Sequence, residues 1–237
     1  MTARTALIVR GGWDGHQPVA ATEVFLPFLE GEGYDIRIEE SPEVYADAEA
    51  MAATDLIVQS MTMSTATHEQ IAGLRAAVAA GTGFTGWHGG IADSYRESSD
   101  YLQLVGGQFA THPSRRPDLL VEGSHENNYL DYTVNITELG RRHPITEGLE
   151  DFDLTTEQYW VLHDDLNDVL ATTTHPTQPW HPWHRPITSP AVWTREWGLG
   201  RIVVTTPGHS PDILEHPSVR TIIERGMLWA TRTASAS

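Results

Sequence analysis

Histidine carries the chemistry available to this chain, and His88 stands in the most informative setting. It closes the run Gly81-Thr-Gly-Phe-Thr-Gly-Trp-His-Gly-Gly90, a strand-like segment that enters a turn bracketed by glycines. Glycines accept backbone angles that a Cβ resists, and they let a ligand approach the main chain. In nucleophile-elbow folds the matching strand–turn–helix junction carries a serine or cysteine. Here the tip is a histidine and the chain has no cysteine. Thiol chemistry is therefore excluded, and His88 is left to act as base, acid or metal ligand.

Further residues of the same chemical kind lie at corresponding places. His16 ends Gly11-Gly-Trp-Asp-Gly-His16, and His209 ends Thr206-Pro-Gly-His209, each just after an apolar strand-like run. In an open α/β sheet ligands bind beyond the carboxyl ends of the strands, so these two and His88 are expected to meet in space. Glu157 and Tyr159 alternate along one strand and can face one cleft. His112 precedes Pro113, which holds its backbone extended and fixes where the imidazole points. Trp87 offers an aromatic face to a sugar ring or packs in the core. Arg195 binds a sugar hydroxyl or carboxylate, or pairs with one of the 32 acidic residues. We assign His88, Glu157 and His209 to catalysis, and His16, Trp87, His112, Tyr159 and Arg195 to substrate binding. A divalent metal, zinc by preference for imidazole ligands, would be held by His88, His209 and His112 with help from Glu157. A metal-free acid–base pair is the other arrangement of the same groups.

The elements needed to position these groups are legible in part. Ala6–Arg10 reads as a first strand, residues 18–30 as an amphipathic helix opened by Pro18, 34–39 and 55–59 as strands, and 46–53 as a short helix. Thr67-His-Glu-Gln70 has the pattern of a capping box and opens a helix that runs to Gly81. This alternation predicts parallel strands with helices on both faces. Segments 118–122, 130–136, 153–159 and 168–173 read as further strands. Residues 174–190 hold five prolines, which preclude a helix and suggest an extended loop that covers substrate. His175, His181 and His184 lie in it without compact ligand spacing. A hairpin around Gly198-Leu-Gly200 and a last helix over 218–231 complete one expected domain, residues 1–237.

Fifteen basic residues against 32 acidic ones give a formal charge of −17, which argues against nucleic acid and anionic membranes as partners. No apolar run reaches the length of a membrane span, so a soluble, cytoplasmic location is expected. Gly11-Gly12 after the first strand does not continue into Gly-x-Gly-x-x-Gly, so no nucleotide cofactor is expected. Gly-x-Ser-x-Gly is absent too, which argues against an esterase. Aromatic residues over 180–197 suit a homo-oligomer interface as well as a substrate lid.

Several of these segments together resemble the trehalose-utilisation, or ThuA-like, family. They are Gly83-Phe-Thr-Gly-Trp-His88, His143-Pro-Ile-Thr-Glu-Gly-Leu149, Glu157-Gln-Tyr159, Trp193-Thr-Arg-Glu-Trp-Gly-Leu-Gly-Arg201 and Gly208-His209, in that order. The resemblance implies a flavodoxin-like, class I glutamine amidotransferase-like three-layer sandwich with a mostly parallel central sheet. It also implies a role in the catabolism of sugars, notably disaccharides and glycosides oxidised by a partner dehydrogenase. Amidotransferase members of the superfamily need the elbow cysteine, which His88 replaces, so that activity is not expected. The expected protein is an enzyme acting on a glycoside or keto-sugar, a lyase, hydrolase or isomerase, with His88 abstracting a proton and Glu157 or His209 protonating the departing oxygen. The alternative is a carbohydrate- or partner-binding module that kept the cleft without turnover.

Overall fold

The computed structural model describes residues 4–113 and 115–233. Strand β1 (Arg4–Gly12) leads into helices α1 (Pro18–Glu23) and α2 (Leu26–Gly31). The single helix expected over 18–30 is thus broken near Phe25. Pro27, in the first turn of α2, has no N–H to offer the Glu23 carbonyl, so the first helix cannot run on. Next come β2 (Tyr34–Glu39), α3 (Ala48–Ala52), β3 (Leu56–Thr62) and α4 (His68–Ala79). The capping box forms as read: the Gln70 N–H donates to Thr67 Oγ1 at 3.2 Å and the Thr67 N–H to Gln70 Oε1 at 2.8 Å. The elbow strand β4 (Gly83–Trp87) follows, then α5 (Gly89–Ala92), α6 (Ser99–Val105) and β5 (Gly107–Thr111).

The second half is built from β6 (Tyr129–Ile136), β7 (Phe152–Glu157), β8 (Trp160–His163), β9 (Asp168–His175), β10 (Ile187–Trp197) and β11 (Gly200–Thr205), closed by α7 (Pro211–Leu214) and α8 (Pro217–Ala230). The strand expected over 118–122 does not form. Residues 117–119 make a 3-10 turn, and the Asn127 side-chain amide takes both the N–H and the carbonyl of Val121. The backbone groups that a neighbouring strand would need are already used.

Among the described residues nine strands join in the order β2-β1-β3-β4-β11-β10-β9-β6-β7, with β5 and β8 paired apart from them. The neighbour pairs from β2 across to β11 are parallel; those from β11 across to β7 are antiparallel. The sheet is therefore mixed, not mostly parallel. The turn at Gly198 and Leu199 is the physical cause: two residues can reverse a chain into a hairpin but cannot carry the crossover a parallel pair requires.

Alternate residues of β1 feed two cores. Ala6 and Ile8 pack with Phe25 and Leu29 near α1 and α2 and with Ile222 and Met227 of α8. Leu7 and Val9 pack with Leu74 of α4 and Leu104 of α6. Helices thus cover both faces of the parallel half, and the strand ends stay free to carry the site. No helix among the described residues is long and apolar enough to cross a membrane.

Candidate functional site: a buried three-histidine, one-carboxylate centre

His88 sits directly after β4 with φ 50° and ψ −139°, a left-handed backbone that residues with a Cβ adopt only when the surroundings enforce it. Its N–H donates to the Thr205 carbonyl at 2.7 Å. Its Nδ1 lies 2.8 Å from the Thr206 carbonyl. A carbonyl only accepts, so Nδ1 carries a proton and the neutral ring presents a lone pair at Nε2. Gly89 allows the next contact, because a Cβ there would stand 2.6 Å from Cε1 of His16.

His16 enters from a 3-10 turn after β1 and holds its Nδ1 2.9 Å from Thr62 Oγ1, at the end of β3. His209 follows β11 and the Pro207-Gly208 bend. Its ring is 5.1 Å from that of His16 and 5.3 Å from that of His88. Glu157 arrives from the far edge of the sheet. Strand β6 pairs with β9 only through Asn135 and Ile136, so the β6–β7 ribbon diverges and carries the end of β7 back over the parallel strands. The Tyr132 hydroxyl donates to the Glu157 carbonyl at 3.2 Å and steadies that end.

One carboxylate oxygen gathers the imidazoles. Glu157 Oε2 is 3.0 Å from His88 Nε2, 3.0 Å from His209 Nδ1, 3.5 Å from His112 Nε2 and 3.9 Å from His16 Nε2. His16, His88, Glu157 and His209 can hold a metal ion, with one ligand atom from each and all four within 4.8 Å of one another. His112 was expected among the ligands and His16 was not. The structure places His112 just outside this group, with its side chain 19% exposed, and His16 inside.

Burial pushes the titration of His16 down to about 2, reinforced by the neighbouring His88 and His209. Burial also lowers His88, and takes His112 to about 4. Burial opposes ionisation of Glu157, but contacts with His209 and His88 outweigh it and hold the carboxyl well below the usual carboxylate range. The centre thus sets an anion, Glu157, against the neutral imidazoles of His16, His88 and His112. The His88 lone pair then faces an anionic oxygen at 3.0 Å, a repulsive contact unless a proton or cation lies between. Burial disfavours a proton on the His88 imidazole, and Glu157 is held ionised. A cation fits, and a backbone carbonyl accepting the distal N–H of a metal-bound histidine is the usual orienting partner.

A stability consequence follows with a definite sign. The folded titration points of His16, His88 and His112, and of His175, which burial takes to about 4, lie below the unfolded value near 6.5. Between those values the unfolded chain binds more protons, so stability is full above about pH 6.5 and falls as pH drops towards 4. Metal-free protein is expected to melt several degrees lower at pH 5 than at pH 7.5 by calorimetry; an unchanged or higher melting point at pH 5 would contradict it.

The remaining expected residues divide. The Tyr159 ring lies 4.2 Å from His88 at 31° and also packs on Phe109 and His112, so it walls the centre. Trp87 points to the opposite face of β4, where its indole packs 5.0 Å from Phe25. It is 2% exposed and belongs to the core, not to a sugar floor. Arg195 is also displaced from the site. It pairs with Ile202, which pairs with Phe84, about 13 Å before His88 along the sheet. Its guanidinium donates to Asp164 at 2.9 Å and to Asn167 at 2.8 Å. Thr62 and the Thr206 carbonyl were missed. Thr62 ends β3, so the strand-end rule applied to every strand would have found it; a backbone carbonyl has no sequence signal. Gln59 was also missed: it underpins the elbow through Tyr45, Gly90, Ser94 and Tyr101.

Fold and site together define a mixed α/β protein with a buried His/Glu centre at the strand ends. The ThuA family model, described as trehalose utilisation, matches residues 5–230, and the chain belongs to that family. Membership implies a role in trehalose utilisation, within carbohydrate metabolism. Similar solved structures include a ThuA-like protein from Parabacteroides merdae, 17% identical, TM-score 0.73, over 99% of this chain and 93% of that one. Another from Bacteroides uniformis is 16% identical with TM-score 0.71, over 97% and 93%. A cytoplasmic protein from Salmonella typhimurium shares 14% identity and TM-score 0.60, over 96% and 100%. No curated protein matches the sequence.

Proposed function

We propose that this chain is a metal-assisted enzyme that cleaves or isomerises a keto-sugar glycoside. The observation that carries the reading is the convergence of three buried imidazoles on one buried carboxylate oxygen. His16, His88, Glu157 and His209 would hold a divalent ion, zinc being the first choice for imidazole-rich ligands. Such an ion, when bound, supplies Lewis acidity toward a carbonyl or hydroxyl oxygen.

The chain's own groups supply orientation and proton transfer. Thr206 and Thr62 fix the His88 and His16 rings, and Tyr159 excludes water from one side. His112 stands outside the ligand group on the solvent side and stays unprotonated at neutral pH, because burial holds it to about 4. We assign it the proton on the carbon beside the ketone. As that C–H bond breaks its electrons form the C=C bond, the bond to the glycosidic oxygen breaks, and the proton passes to the departing oxygen. The parallel order 2-1-3-4 supports the flavodoxin-like, amidotransferase-like assignment, with His88 in place of the catalytic cysteine. The partner is a small carbohydrate, and neither nucleic acid nor membrane is proposed. The similarity to a cytoplasmic Salmonella protein favours a cytoplasmic location.

Elemental analysis of the purified protein tests the reading, together with turnover of a keto-glycoside before and after chelation. Near-stoichiometric metal is expected, with turnover lost on stripping and restored on reloading. Failure to load zinc, manganese or iron(II), or turnover indifferent to chelator, would sink it.

A further inference from the structure

A cavity of about 750 Å³ opens beside the centre, along β6, β7 and the end of β9, within the range of small-molecule sites. Its inner end is Tyr129, whose ring lies 5.4 Å from that of His209. From Tyr129 to Thr133 it follows β6 for about 13 Å, more than one pyranose ring needs. The outer wall comes from His175, the last residue of β9, and from Trp180 and His181 in the loop that follows.

That wall contains polar groups with nothing to bind. His175 is 1% exposed, and among the described residues neither of its ring nitrogens has a hydrogen-bond partner. The backbone of Tyr159 lies near it without meeting hydrogen-bond geometry. His181 Nδ1 accepts the Gln178 N–H at 3.2 Å. The neutral ring therefore carries its proton at Nε2, and that buried atom also has no partner. Buried polar atoms are normally satisfied, so unpartnered ones beside a cavity call for a partner from outside the protein, water or ligand. Trp180, 36% exposed, adds an indole face of the kind that sugar rings stack on. Orphaned imidazoles beside an open aromatic face suit a polyhydroxylated ring with one apolar side.

We propose that this cavity is the subsite for the second ring of a disaccharide-sized glycoside whose first ring lies at the Glu157 centre. Trp180 stacks on that second ring, and His175 and His181 bind its hydroxyls. The proposal rests on the carbohydrate reading above and adds where the distal ring goes and what selects it.

Trehalose, which has no ketone and is not consumed, and methyl α-D-glucoside are the probes, titrated calorimetrically into the full-length, metal-loaded protein. The wild type is expected to bind trehalose at least about tenfold more tightly than the glucoside, and Trp180→Ala and His175→Ala to lose that advantage while keeping glucoside affinity and metal content. Trp180 is partly exposed, so its variant remains informative even if His175→Ala fails to fold. Equal affinity of the wild type for the two sugars would overturn the subsite alone. So would a Trp180→Ala variant that keeps the wild-type advantage. A wild type that binds neither sugar would overturn the subsite, and absence of keto-glycoside turnover in the same preparation would overturn the carbohydrate reading with it.

Discussion

Replacing Glu157 with glutamine is expected to lower metal affinity by on the order of 100-fold or more, since even outer partners of metal ligands are worth about 10–100-fold. The change is isosteric, so packing around the 5% exposed side chain is kept. What is lost is the anion towards which His88, His209, His112 and His16 all turn. The amide also offers an N–H where a cation would sit. The metal-free variant should be somewhat less stable than the wild type at neutral pH, because the contacts with His209 and His88 that hold Glu157 ionised in the folded state are lost. Competition with a chromophoric chelator measures the affinity and thermal melting the stability. Wild-type metal affinity in Glu157→Gln would remove Glu157 from the ligand set.

Arg195→Ala is expected to act through stability alone, costing about 1.5–3 kcal/mol while leaving metal content per folded molecule unchanged. The Arg195 side chain is 1% exposed and is held by Asp164 and Asn167. Truncation leaves the partly exposed Asp164 carboxylate without its cation, opens a void beneath β10, and strands the Asn167 carbonyl. Urea unfolding and elemental analysis of the same preparation separate the two effects. Normal stability with lost metal or lost turnover would return Arg195 to the site.

The contrast between these residues marks what could be read from sequence. Arg195 and Glu157 both lie in segments that match the family, and both are charged groups near strands. Position relative to the strand end separates them, and that depends on a register set by Ile202 and Phe84. Trp87 and His88 are adjacent, yet one enters the core and the other the centre because side chains alternate across a strand. The mixed sheet escaped sequence reading for a related reason. Alternating apolar residues state that a strand exists, not which neighbour it takes or in which direction. Segment 118–122 shows the limit from the other side: its apolar run is suited to a strand, and Asn127 occupies its backbone instead.

What the sequence determined by itself was local. The Thr67–Gln70 cap, the glycine-bracketed turn at His88 and the hairpin at Gly198 follow from steric limits and hydrogen bonds within a few residues, and the lack of cysteine excludes thiol chemistry. The presence of histidines at the ends of β1, β4 and β11 was equally plain. The tertiary structure decided which of the twelve histidines surround Glu157, that His16 takes the inner place and His112 the outer one, and that His175 faces a cavity. Those outcomes turn on the β6–β7 ribbon leaving β9 after two paired residues and folding back over the parallel strands. Burial of long-range apolar surface governs such a path, and no short stretch of sequence contains it.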